Sequence, residues 1–127
     1  FFGYTKRVNI MAMTPEGKVK KAVRQVLDLV GAYYVMPVTG GYGNQGAPDF
    51  LVCHKGLFYG IETKAGKGKT TALQDREIER INSSGGFATV VNEHNVDTLK
   101  ATLESLERDE WILPQSTLKQ PTGPSSN

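Results

Sequence analysis

The sequence predicts an α/β fold of three layers, with a mixed central sheet between helices. Three observations carry this. Residues 14–31 and 71–84 place apolar side chains at helical period. Segments rich in Val, Ile, Tyr and Phe lie between them, two joined by a tight turn at Lys55-Gly56. The order is helix, strand, strand, strand, helix, strand, helix, and strands apolar on both faces need cover from both sides.

The first helix starts at Thr14, a good N-cap, with Pro15 at the first helical position and Glu16 in the first turn. Val19, Ala22, Val23, Val26, Leu27 and Val30 form its apolar stripe, and Gly31 is a natural stop. Lys18, Lys21 and Arg24 take the opposite face. Glu16 projects along the line of Val23 and Leu27, at about 100° per residue. It reads either as an acid complementing the helix dipole or as an acid aimed at the sheet.

Residues 32–38 read as a strand ended by Pro37. The next eight residues, Thr39 to Gly46, contain four glycines, a composition for a loop rather than a packed element. This loop is either a plain connector or a substrate-touching segment with Tyr42, Asn44 and Gln45 as polar contacts. It lacks the Gly-Lys-Ser/Thr ending of a phosphate-binding P-loop.

The hairpin that follows is the centre of the chain. If Lys55-Gly56 is a two-residue turn, His54 pairs with Leu57, and counting back sets Asp49 opposite Glu62. The alternation of side chains puts both carboxylates on one face, with Lys64 two positions on. Opposed carboxylates lie roughly 5 Å apart and repel unless a cation stands between them, which points to a metal site. Phe50, Val52, Leu57, Tyr59 and Ile61 face away from the acids. Cys53 is expected as a small core residue and His54 as solvent-facing at the turn.

Lys64, Lys67 and Lys69 put three lysines within six residues of a second flexible loop. A charge run of this kind is usually a solvated surface, but here it abuts the acids. Thr71 and Gln74 form a capping-box pattern opening the second helix, whose inner stripe includes Ile78 and Ile81 and also Gln74. Gly85-Gly86 ends it, a short strand runs over 87–91, and Asn95 or Asp97 is expected to cap a third helix with Val96, Leu99, Leu103 and Leu106 inward.

One domain over 14–107 is expected, with an arm (1–13) and a tail (108–127) outside it. Met11 or Met13 is a candidate natural start. Three prolines after Asp109 mark the tail as loosely held. Across the 127 residues, 39% hydrophobic and 22% charged content fit a soluble globular protein. A net charge of +2 permits nucleic acid as a partner without implying it. A single cysteine excludes an internal disulfide, and two histidines make a Cys/His zinc site a poor fit. A reducing, intracellular setting is expected. No apolar run approaches membrane-spanning length, so no membrane partner is expected, and no secretory signal is visible.

Pro48-Asp49, twelve residues, then Glu62-Thr63-Lys64 resembles the PD-(D/E)xK motif of the restriction-endonuclease-like nuclease superfamily, whose core order αβββαβ also matches. More narrowly, Glu16 near the first helix start, Gly46-Ala47-Pro48-Asp49-Phe50, Phe58 to Lys64, and Thr71 with Gln74 resemble the virus-type replication-repair nuclease (VRR-NUC) family. The resemblance covers about 14–106. It implies a metal-dependent DNA endonuclease of viral or phage-like type, in which Glu16, Asp49 and Glu62 are metal-site acids. Lys64 would be the catalytic lysine and Gln74 the helix glutamine. A backbone carbonyl such as that of Thr63 would complete an oxygen set suited to Mg²⁺, with Mn²⁺ substituting. No organic cofactor is implied. Stand-alone members resemble Holliday-junction resolvases, so a homodimer acting on branched DNA is the first expectation. Flap or single-strand cutting, a non-catalytic DNA-binding module, and a purely structural α/β protein with chance acids are the alternatives. Lys18, Lys20, Lys21, Arg24, Lys67 and Lys69 are the candidate phosphate contacts.

Overall fold

The computed structural model describes residues 13–38 and 45–106. Tyr42, Asn44, the arm before Met13 and the tail from residue 107, for which the sequence sets expectations, lie outside them.

Helix α1 (Pro15–Val30) has the predicted limits. The Thr14 hydroxyl accepts from the Gly17 amide at 3.0 Å, which satisfies one of the free donors of the first turn. Gly31 stops the helix at φ 76°, a conformation that glycine adopts without a Cβ penalty. Four strands follow the helix in one sheet: β1 (Tyr33–Val35), β2 (Phe50–His54), β3 (Leu57–Thr63) and β4 (Phe87–Val91), in the order β1-β2-β3-β4. β1 and β2 are antiparallel, β2 and β3 antiparallel, β3 and β4 parallel, so the sheet is mixed. The parallel step requires a crossover, supplied by helix α2 (Ala72–Ser83).

The hairpin register is the predicted one. His54 pairs with Leu57 and Phe50 with Ile61. Lys55 and Gly56 both have positive φ, 52° and 80°, as a two-residue turn matched to strand twist requires.

The face of the sheet carrying Phe50, Val52, Tyr59, Ile61 and Val91 is closed by Val19, Val23 and Leu27 of α1 and by Leu99 and Leu103 of helix α3 (Leu99–Ser105). Tyr34 meets Phe50 edge to face, ring centroids 5.9 Å apart. The other face has a single helix. α2 packs on β3 and β4 and leaves the outer face of β1 and β2 open, where Tyr33 and Val35 are exposed together with Phe58 at the hairpin end of β3. Helices therefore lie on both sides only over β3 and β4, and even there Phe58 and Phe87 at the hairpin end stay exposed.

This asymmetry corrects two expectations. Cys53 is exposed, because alternation sets it beside Tyr33 and Phe58 on the open face. His54 is buried, because it shares the closed face with Val52 and Phe50. The third helix differs as well. A 3-10 turn (Val96–Thr98) precedes α3, and the Asn95 side chain makes no cap. It bonds the carbonyl of Val90 and the amide of Asn92 instead, tying the end of β4 to the turn. The first strand is also shorter than 32–38.

The open face includes a groove of about 590 Å³ lined by Pro48, Leu51, Phe58, Glu77 and Arg80 among others. Glu77 is buried there and held by Arg80 at 2.9 Å and Arg76 at 3.7 Å. The groove does not reach the acids of the hairpin.

Candidate active site

The acid end of the hairpin is positioned by two close approaches. At Gly46, with φ 88°, an added Cβ would lie 2.5 Å from the backbone of Leu73, so the chain passes hard against the start of α2 before reaching Pro48. At Gly60 an added Cβ would lie 2.6 Å from Ile81 Cδ1 and 3.1 Å from Pro48 Cγ, so Pro48 and α2 close directly over the strand backbone. Glycine at 60 thus lets Pro48 deliver Asp49 to the sheet.

Asp49 sits in a bend one residue before β2, a step beyond the last ladder pair. Freed from the ladder, its carboxylate turns across to β3. Oδ2 accepts from the Thr63 amide at 3.0 Å and from the Thr63 hydroxyl. Oδ1 faces Lys20 of α1, with Nζ at 3.6 Å. Partial burial pulls the Asp49 pKa upward, but the Thr63 hydroxyl, Glu62, the Thr63 amide and Lys20 outweigh it and hold the carboxyl below its ordinary value.

Glu62 behaves oppositely. It is 2% exposed, and its Oε2 has no hydrogen-bond partner among the described residues. Its pKa is pushed up to about 8, first by burial, then by the hydrogen bond its protonated form makes to Asp49 and by the Asp49 charge. Lys64 pulls it down, and Glu16 adds to the rise. Two neighbouring carboxyls driven apart in this way are what like charges in a confined site produce.

Glu16 does not converge with Asp49 and Glu62 into one ligand cluster; among the described residues no three His, Cys, Asp or Glu side chains are placed to hold a single ion. Instead Lys20 stands between, 3.7 Å from Glu16 Oε2. Gln74 is engaged in the predicted capping box: its side-chain oxygen accepts from the Thr71 amide at 2.9 Å, and the Thr71 hydroxyl accepts from the Gln74 amide at 3.2 Å. Lys18, Lys21, Arg24, Gln45, Lys67 and Lys69 are exposed, whereas Lys20 is directed at the acids.

Two residues take parts other than those expected of them, a backbone ligand for Thr63 and a phosphate contact for Lys20. The Thr63 side chain anchors Asp49, which no strand-alternation argument could find, because Asp49 leaves the ladder. Lys20 contacts two acids; its i,i+4 spacing from Glu16 was the available signal.

The donor set fits a hard divalent cation. Asp49 and Glu62 offer adjacent carboxyl oxygens, one of them buried and unpartnered, and an ammonium already lies between Asp49 and Glu16.

Comparison with known proteins gives no match to any family model and none to a curated protein. Among solved structures, one described as a VRR_NUC domain matches with a TM-score of 0.60 and 31% sequence identity, over 68% of this chain and 95% of that one. The shared mixed sheet, the Pro48-Asp49 and Glu62-Thr63-Lys64 arrangement and this likeness lead to one conclusion: the chain belongs to the VRR-NUC family.

Proposed function

We propose that this chain is a metal-dependent DNA endonuclease hydrolysing phosphodiester bonds. The observation that carries the reading is the buried Glu62 carboxyl, with an unpartnered oxygen, set against Asp49 and under the influence of Lys64. Such a pair is costly for the fold and is explained by a cation that would repay the cost.

Asp49, Glu62 and the Thr63 carbonyl would hold Mg²⁺ or Mn²⁺, and Glu16, which does not converge with them, would join only through water. When bound, such an ion supplies charge to the phosphate oxygens and acidifies a bound water. The protein's own residues do the rest. Thr63 fixes Asp49 Oδ2 from both its amide and its hydroxyl, so one carboxylate is oriented before substrate arrives. To serve as a ligand Glu62, its pKa raised to about 8, would have to release its proton, so affinity would rise with pH. Lys64 orients the attacking water or stabilises charge on the phosphoryl oxygens as they gain it. Gln74, at the N-terminus of α2, could orient that water or Lys64 only by leaving its cap. The exposed Lys18, Lys21, Arg24, Lys67 and Lys69 would contact phosphates, giving an affinity that falls steeply with salt.

Branched DNA cut by a homodimer is the proposed substrate and assembly, because two symmetric sites suit the paired cuts that a four-way junction needs. One panel tests the whole reading: junction, flap, splayed and linear duplex DNA, each with Mg²⁺ and with chelator. Junction cleavage that requires Mg²⁺ and falls by about 10²- to 10³-fold in Lys64→Ala supports it. Lys64→Ala cleaving at the parent rate would refute it, and preference for flap or single strands would replace the junction assignment.

A further inference from the structure

We infer that Lys20 is an internal counter-cation, holding the space between Asp49 and Glu16 in the metal-free protein and withdrawing when a divalent ion enters. The inference rests on the metal-site reading proposed above and assigns Lys20 a role distinct from the phosphate-contacting lysines.

The geometry is specific. The Lys20 ammonium lies 3.6 Å from Asp49 Oδ1 and 3.7 Å from Glu16 Oε2, bridging two acids from different elements. Both separations exceed a direct charge-assisted hydrogen bond, so the ammonium is held by field rather than by tight directional bonds. Its side chain is 36% exposed, which leaves a route out to solvent. An ammonium is a compact point charge on a flexible four-carbon stem, the cationic side chain best able to occupy a small cation's place and then leave it. The third acid, Glu62, is buried beside Asp49 with an oxygen that has no hydrogen-bond partner among the described residues. Lys20 is therefore the cation between Asp49 and Glu16, and Glu62, on the other side of Asp49, has no such contact of its own among the described residues. Lys18 and Lys21 on the same helix have no such contact among the described residues and point to solvent.

Competition of this kind lowers apparent metal affinity by the fraction of time the site is open. If Lys20 closes it nine-tenths of the time, removing the ammonium tightens binding about tenfold.

The test is Mn²⁺ titration calorimetry on parent, Lys20→Met, Lys20→Gln and Lys21→Met proteins, each checked for folding by circular dichroism and melted with chelator. Lys21→Met removes the same charge from the same helix without touching the acids, and so reports the general field. The expected result is Mn²⁺ binding about tenfold tighter in both Lys20 variants, less than twofold tighter in Lys21→Met, and a lower melting temperature of the metal-free Lys20 variants alone. Lys20 variants binding no more tightly than Lys21→Met, or more weakly than parent, would overturn the inference while leaving the metal site intact. Parent protein that binds no Mn²⁺ would overturn both this inference and the reading it rests on.

Discussion

The two faces of the sheet are built for different ends. On the closed face, side chains from α1, β2, β3, β4 and α3 interlock, and the largest of them, Tyr59, Phe50 and Leu27, are all but fully buried. Loss of any one is felt by many neighbours. The other face is covered by one helix and buries charged groups, Glu62 by strand alternation and Glu77 under Arg80, while Asp49, off the ladder, reaches back to Thr63 and to Lys20 of α1. The first face supplies the stability that lets the second keep carboxyl groups out of water. A site with unfavourable electrostatics needs a rigid sheet behind it, and the hairpin connects the two because each of its strands presents one residue set to each face.

The contrast can be broken first at its strongest point. Phe50→Ala should cost about 3–5 kcal/mol, read as a lower denaturation midpoint, since it empties a site with 0% exposure and removes the ring contact with Tyr34.

A second test uses the cost stored at the site. In the metal-free protein Glu62 is raised from 4.5 to about 8, so between those values the folded state holds a proton that the unfolded state has released. Stability should therefore be greatest at the acid end of this window and fall as pH rises through it, levelling off above about 8. Asp49, shifted downward, contributes in the opposite sense but only at lower pH. Chemical denaturation with chelator from pH 5 to 9 should show this fall in the parent, and Glu62→Gln should flatten it. An equal slope in both proteins would mean that the burden lies elsewhere.

Thr63→Val is milder. It removes the hydroxyl on Asp49 while keeping shape and the backbone amide. About 1 kcal/mol of stability should be lost, and Mn²⁺ affinity should drop about tenfold by calorimetry, as for other residues that orient a ligand. The smallest effect is expected on the uncovered strands: Val35→Ala, at a position 45% exposed, should shift stability by no more than about 0.5 kcal/mol. A larger loss there would show that the open face is covered in solution.

Much of the fold was legible in the chain. Thr14, Pro15 and Gly31 fix the limits of α1 because capping and left-handed backbone are local chemistry. Lys55-Gly56 fixes the hairpin register because a two-residue turn allows only one. The same register brings Asp49 and Glu62 to neighbouring positions at one end of the hairpin, with Lys64 just beyond. What failed was inference about cover. Cys53 and His54 were assigned to the wrong surroundings, since alternation tells which residues share a face but not which face a helix will lie on. Glu77 gave no sign of burial, because its shelter comes from the groove beside Pro48 and from two arginines of its own helix.

The sequence by itself determined the element order, the caps at Thr14 and Thr71 and the hairpin register, all set by periodicity and turn chemistry within a few residues. Tertiary structure alone decided that Asp49 would leave the ladder and lean on Thr63, that Glu62 would be buried with an unpartnered oxygen, and that Lys20 would stand among the acids. Those outcomes depend on where α1 and α2 cross the end of the sheet. That crossing is set by the packing of whole faces, which no local pattern encodes.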